Sequence, residues 1–136
     1  MKILEKNTDL GILILRLSIG ILMLLHGIAK LVYGAGGIEQ MLEASGLPSF
    51  IVYGVYVGEV IAPLFIILGY GTRIAAAIFA FNMIVAVGMA HAAEIFTLSP
   101  TGGLTIELQA LYFFGAVALI FTGGGKYALS SKKLWD

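Results

Sequence analysis

Cysteine is absent from this sequence, proline occurs three times and tryptophan once in 136 residues, and only 12% of the chain is charged. Without cysteine there is no disulfide framework, thiolate metal site, iron–sulfur cluster or thiol redox motif. Soluble domains carry about 25% charged residues. The shortfall excludes an ordinary cytosolic globular protein, a disordered tail and a free-standing nucleic-acid binder. Eight Lys and Arg balance eight Asp and Glu, so no net charge draws the chain to an anionic partner, and no nucleic acid is expected. No haem-attachment motif is present. The run Gly123-Gly124-Gly125-Lys126 lacks the preceding strand and the Ser/Thr of a phosphate loop.

The chain is instead rich in apolar residues, at 60%. A helix needs about 20 of them in succession to cross a bilayer. Four stretches satisfy this, at about 10–33, 49–70, 73–93 and 106–122. None alternates with period two, which excludes a β-barrel. The first is too long for a signal peptide and no small-residue cleavage site follows it. The expected fold class is therefore all-α: a polytopic membrane four-helix bundle forming a single membrane domain over 1–136.

Turn-forming residues separate the stretches. Gly34, Gly36 and Gly37 end the first, and Ser49 is placed to cap the second. Gly69-Tyr70-Gly71-Thr72 makes a tight turn. Thr105 is placed to cap the fourth, and three glycines close it. Between the first two spans, Ile38, Met41 and Leu42 share one helical face opposite Glu39 and Glu43, which predicts a short amphipathic helix lying on the outer surface. Lys2, Lys6, Arg73, Lys126, Lys132 and Lys133 gather on the side of the termini, while the two loops opposite hold Glu39, Glu43 and Glu94 and no Lys or Arg. The positive-inside rule then places both termini in the cytoplasm.

Ionisable groups inside a bilayer are unfavourable by roughly 2.5–3.5 kcal/mol on insertion scales, and mark function or pairing. Here they are Arg16, His26 and Lys30 in the first span, Glu59 in the second, His91 in the third and Glu107 at the start of the fourth. At about 1.5 Å per residue from the inner edge, Arg16 lies about 10 Å deep, Glu59 about 18 Å and His26 about 24 Å. Glu59 is thus near the midplane with Arg16 in reach, and His26, Lys30, His91 and Glu107 cluster in the outer third. Structural roles fit each singly: an Arg16–Glu59 ion pair, Lys30 and Glu107 reaching the headgroups, and histidines hydrogen-bonded within the packing. Together they read as a polar pocket opening outward. His26, Glu59, His91 and Glu107 are the candidate catalytic groups, and Arg16 and Lys30 the candidate substrate-binding groups. The same carboxylates and imidazoles contain enough donors for a zinc or iron ion, but no metal motif is evident and none is expected. Two further features concern packing. Gly54 and Gly58 form a G-x-x-x-G suited to close helix contact, and Pro63 is placed to kink the second span near Glu59 and free a carbonyl.

Leu15-Arg16-Leu17, Leu25-His26-Gly27 and Lys30-Leu31 in the first span, Gly46-Leu47-Pro48 in the loop, Gly58-Glu59, Thr72-Arg73, His91, Gly102-Gly103 with Glu107, and the closing Thr122 to Leu129 follow one another in an order and spacing that resemble the DoxX family of small four-helix bacterial and archaeal membrane proteins. Gly124 stands where that family commonly has Pro, and Ala128 where it commonly has Ser. The resemblance implies the cell membrane of a bacterium or archaeon. It also implies a redox setting, since the family is named for a quinol oxidase subunit and includes relatives of thiosulfate:quinone oxidoreductase subunits. Quinone is the implied cofactor, and redox proteins, the lipid bilayer and a second copy of the chain are the implied partners.

The expected function is thus a membrane subunit of a quinone- or quinol-linked system, an oxidoreductase subunit if enzymatic. A proton-coupled carrier of a small solute and a non-catalytic anchor or assembly subunit are the alternatives. Histidine exchanges protons near neutral pH, which suits both the first and the second.

Overall fold

The computed structural model describes residues 5–136. Lys2, counted above with the basic side, lies outside the described residues. Among the described residues the main helices are α1 (Thr8–Tyr33), α2 (Gly36–Ala44), α3 (Ser49–Leu68), α4 (Thr72–Ala90) and α5 (Glu107–Thr122), with a 3-10 turn at Ala92–Glu94. Among the described residues extended pairing is limited to a bridge between Leu98 and Leu104. Helices α1, α3 and α4 are each long and apolar enough to cross a membrane. The fourth expected span is shorter, because α5 has 16 residues. At about 1.5 Å per residue it reaches about 24 Å, against about 30 Å of hydrocarbon.

The long helices form a ring in which α1 packs on α3, α3 on α4, α4 on α5, and α5 back on α1. Small residues allow this. Ala62, Ala75, Ala76, Ala80 and Ala116 are buried together with Ile19, Met23, Ile66, Phe79, Met83, Tyr112 and Leu119. The outer faces keep Ile14, Leu22, Phe81, Phe114 and Phe121 exposed, as lipid-facing surfaces are. Two glycines mark the closest crossings. A methyl at Gly27 would overlap the Glu59 carbonyl oxygen, and one at Gly58 would meet Asn82 Cβ at 2.5 Å. Gly54, the other half of the G-x-x-x-G, faces open space, so only Gly58 packs, and it packs against α4 of the same chain.

Helix α3 is not uniform. It opens with a 3-10 turn at Ser49–Ile51, continues as α-helix, widens to a π-turn at Val57–Ile61 and resumes as α-helix at Ala62–Leu68. Pro63 has no N–H to offer the Glu59 carbonyl four residues back, and a π-turn accommodates the missing bond. Ser49 lies inside the 3-10 turn and makes no capping bond. Thr105 does not cap α5 either: its hydroxyl bonds across the loop to Thr97.

At the end carrying residues 5–7 and 136, Gly69 and Gly71 take φ of 74° and 57°, values that favour glycine, and turn α3 into α4 within three residues. The chain after α5 folds over this turn. Arg73 and Ile74 main-chain N–H groups donate to the Trp135 carbonyl, and Ser130 N–H donates to Gly69. The Asp136 carboxylate accepts from Gly71 N–H, the Ser130 hydroxyl and Lys133 N–H. The Ser130 hydrogen bond holds that carboxyl below the usual carboxylate range. The Lys133 and Gly71 N–H groups and the Lys133 charge add to it, against partial desolvation.

Helix α2 forms where amphipathicity predicts it, but it does not lie free on a surface. Leu42 is fully buried with Ala35 and Val52, while Ile38 and Met41 face a cavity between the long helices. The helix is a cover over the loop end of the bundle.

Candidate functional site

That cavity encloses about 290 Å³ at the loop end, near the lower limit of typical ligand sites. Four of the six sequence-predicted groups meet there: His26 and Lys30 from α1, Glu59 from the π-turn of α3, and His91 at the end of α4. His26 and Lys30 are one helical turn apart and share a face. The π-turn sets where Glu59 points, and Lys30 Nζ forms an ion pair with Glu59 Oε2. The Glu59 side chain is 8% exposed and that of Lys30 27%. Lys30 therefore turns into the bundle rather than out to the headgroups. The His26 ring stands edge-on to Tyr112 at 6.4 Å, and Tyr112 in turn contacts Phe79. His91 donates through Nδ1 to Glu94 at 3.0 Å.

The other two groups lie elsewhere. Arg16 does not pair with Glu59 and does not line the cavity. Its guanidinium is 1% exposed and donates to the carbonyls of Ile66 (2.9 Å), Ile67 (2.9 Å) and Gly124 (3.1 Å). The last four carbonyls of any helix lack intrahelical donors. Ile66 and Ile67 belong to that set in α3, so Arg16 caps a helix C-terminus from a neighbouring helix, where a cation also suits the dipole. Arg73 does the same for α5 through its bond to Ile120 O. Arg16 thus holds three backbone carbonyls and stands apart from the cavity, and the expected ion pair with Glu59 is replaced by these bonds. Glu107 is exposed at the first position of α5, beside Gly103. A carboxylate there faces the positive end of the helix dipole and stands outside the cavity, so the expected cluster of four groups in the outer third loses Glu107 and gains Glu59.

Asn82, Gln109 and Tyr112 carry no charge at neutral pH and so give no signal of the kind that marks an ionisable group inside a span. All three line the cavity. Asn82 is the informative one, because its Nδ2 is buried without a hydrogen-bond partner. Such groups are rare and unfavourable. The remaining wall is apolar and adaptable, with Met23, Met41, Met83 and Met89. Among the described residues no three His, Asp or Glu side chains converge as a metal site would require. The cavity offers hydrogen-bond donors and one carboxylate–ammonium pair to a small, largely apolar ligand.

A Bacillus subtilis (strain 168) protein named "Putative oxidoreductase CatD" is 34% identical over 84 residues, which is 62% of this chain and 62% of that protein. This chain therefore aligns with less than two thirds of that relative. An uncharacterized protein of Haemophilus influenzae (strain ATCC 51907 / DSM 11121 / KW20 / Rd) is 32% identical over 135 residues, covering 97% of both. No solved structure matches. The DoxX family profile matches residues 11–92, which hold α1 to α4 and all four cavity-lining charged or imidazole side chains predicted from sequence, and the chain belongs to the DoxX family.

Proposed function

We propose that this chain is the membrane component of a quinone-linked redox system and that the loop-end cavity holds the quinone head. The observation that carries the reading is the meeting of His26, the Lys30–Glu59 pair and the amides of Asn82 and Gln109 in one apolar-walled cavity. A quinone head is a flat apolar ring with two carbonyls at opposite edges. Lys30 and His26 suit one carbonyl, and the amides suit the other; a carbonyl beside Asn82 would supply the acceptor that its buried Nδ2 lacks. When bound, the quinone supplies the electron-pair chemistry. The chain's own groups hold protons at its edge: Glu59 against Lys30, His26 on the wall, and His91 with Glu94 toward the loops. The methionine walls and the α2 cover keep water out. The name of the B. subtilis relative supports the redox setting. Electrons are exchanged with a partner redox protein. Lys6, Arg73, Lys126, Lys132 and Lys133 gather at one end of the bundle, which supports a cell-membrane orientation with both termini cytoplasmic.

The test is solvent extraction of the purified protein for co-purifying quinone, with thermal stability measured against added water-soluble quinones. Retained quinone is expected, as is a shift that weakens in Glu59→Gln and His26→Ala. Absence of both retention and shift refutes the reading. Solute uptake driven by a pH gradient in proteoliposomes would favour a carrier instead. Full cellular function in the folded Glu59→Ala, His26→Ala double variant would favour an anchor.

A further inference from the structure

A second cavity, of about 380 Å³, lies between α4 and α5. Ile84, Val87, Ile106 and Phe113 line it, and Gly88 forms part of its wall with nothing within 4 Å of where a side chain would begin. It shares Met83 and Gln109 with the head cavity, so the two spaces adjoin along one wall. Gln109, at this junction, is the one polar residue lining the second cavity. Ile84 and Phe114, on its border, are exposed on the outside of the bundle, where lipid lies.

We infer that the α4–α5 groove holds the isoprenoid tail of a quinone whose head occupies the adjoining cavity, with Gly88 left small to admit it. The inference rests on the quinone reading and extends it: the ligand is a tailed, lipid-soluble quinone that enters sideways from the bilayer. Adjacency across the shared Met83 and Gln109 side chains selects this occupant over a free lipid chain. A lipid needs no contact with the polar cavity, whereas a tailed quinone requires a polar and an apolar compartment side by side. The groove also fixes direction, since a tail lying between α4 and α5 presents the head from the Gln109 side toward Lys30 and Glu59.

The experiment compares a tailless quinone (menadione or 2,3-dimethoxy-5-methyl-benzoquinone) with its tailed counterpart (menaquinone-2 or decylubiquinone) on wild type and Gly88→Leu in nanodiscs. A Cβ at position 88 meets open space, so the leucine side chain starts unhindered and extends into the groove. The tail leaves lipid rather than water, so the gain of about fourfold per methylene expected on leaving water does not apply in full. The expected result is that the tailed-to-tailless affinity ratio falls about tenfold in the variant. A tailed quinone bearing a diazirine on its tail should label residues 84–88 or 110–114 of the wild type, and excess unlabelled tailed quinone should compete. If the tailless head binds but the ratio is unchanged and the label falls elsewhere, the groove inference is wrong and the head cavity stands. If no quinone binds wild type, both fall. Labelling of the groove by a phospholipid with a diazirine in its acyl chain, undisplaced by quinone, assigns the groove to lipid and also overturns the inference.

Discussion

The crossing of α1 over α3 at Gly27 gives the most exacting test of the architecture. A methyl placed there would overlap the Glu59 carbonyl oxygen and lie 2.7 Å from Val60 Cγ2 and 2.8 Å from the Glu59 carbonyl carbon. Ordinary contact begins at 3.4 Å and the carbonyl oxygen is the nearest of the three obstacles, so the helices must part by about 1 Å. Two of the three obstacles are backbone, which cannot rotate away. Overpacking of this kind destabilises by about 1–3 kcal/mol. The better helix propensity of alanine returns up to about 1 kcal/mol, leaving Gly27→Ala up to about 2 kcal/mol less stable than wild type. Gly54→Ala is the matched control. It sits in the neighbouring span with nothing within 4 Å, so it gains the propensity without the clash. Equilibrium unfolding in mixed micelles should place the two variants on opposite sides of wild type. Because the displaced atoms belong to Glu59, Gly27→Ala should also weaken quinone binding, and Gly54→Ala should not. If Gly27→Ala proves as stable as Gly54→Ala, the α1–α3 crossing is not this close and the Lys30–Glu59 geometry built on it is wrong.

Two further outcomes are expected. Arg16→Leu leaves two buried carbonyl oxygens and one half-buried one without this donor, each unfavourable by about 1–3 kcal/mol; removal of a buried charge offsets part of that sum, and unfolding in micelles should show a net loss on the order of 3 kcal/mol. Asp136 is held below its ordinary range by Ser130 and its other donors, so its contribution is complete above about pH 4, the unfolded carboxyl value, and disappears as pH falls through the lowered folded value. Fluorescence of Trp135, the single tryptophan, should report loosening of the 129–136 segment in that acid range, and Asp136→Asn should remove the dependence.

The helices were readable because their signals are long and repeated. A run of about 20 apolar residues survives any uncertainty at its ends, and the glycines at 34, 69, 71 and 123 do mark the turns. The amphipathic face of Ile38, Met41 and Leu42 predicted α2, but periodicity cannot tell a surface helix from a cover, since both need one apolar face. The site was partly readable. Depth along separate helices brought His26, Lys30 and His91 to one region, but it left Glu59 deeper, beside Arg16, and put Glu107 in its place. Rise along the helix axis alone put Glu59 within reach of Arg16, whereas the side chain, carried on the π-turn at Val57–Ile61, pairs with Lys30. The role of Arg16 had a signal that was overlooked: α3 ends at Gly69, and its last carbonyls required donors. The fold of residues 129–136 onto the α3–α4 turn depends on main-chain bonds, which no side-chain pattern announces.

The π-turn has one more implication. One additional residue in a helix rotates everything beyond it by about 100°. Below it, Ala62 and Ile66 face the shared core, and the Ile66 carbonyl meets Arg16; above it, Val52 faces α2 and Val55 faces the cavity. The turn therefore works as a phase shifter, letting one span obey two different packing schedules. Deleting a single residue from 57–61 would remove the extra residue of the turn and still leave a hydrophobic span of nearly the same length. Yet one half of that span would face the wrong neighbours, so membrane insertion could proceed normally while the cavity failed to assemble.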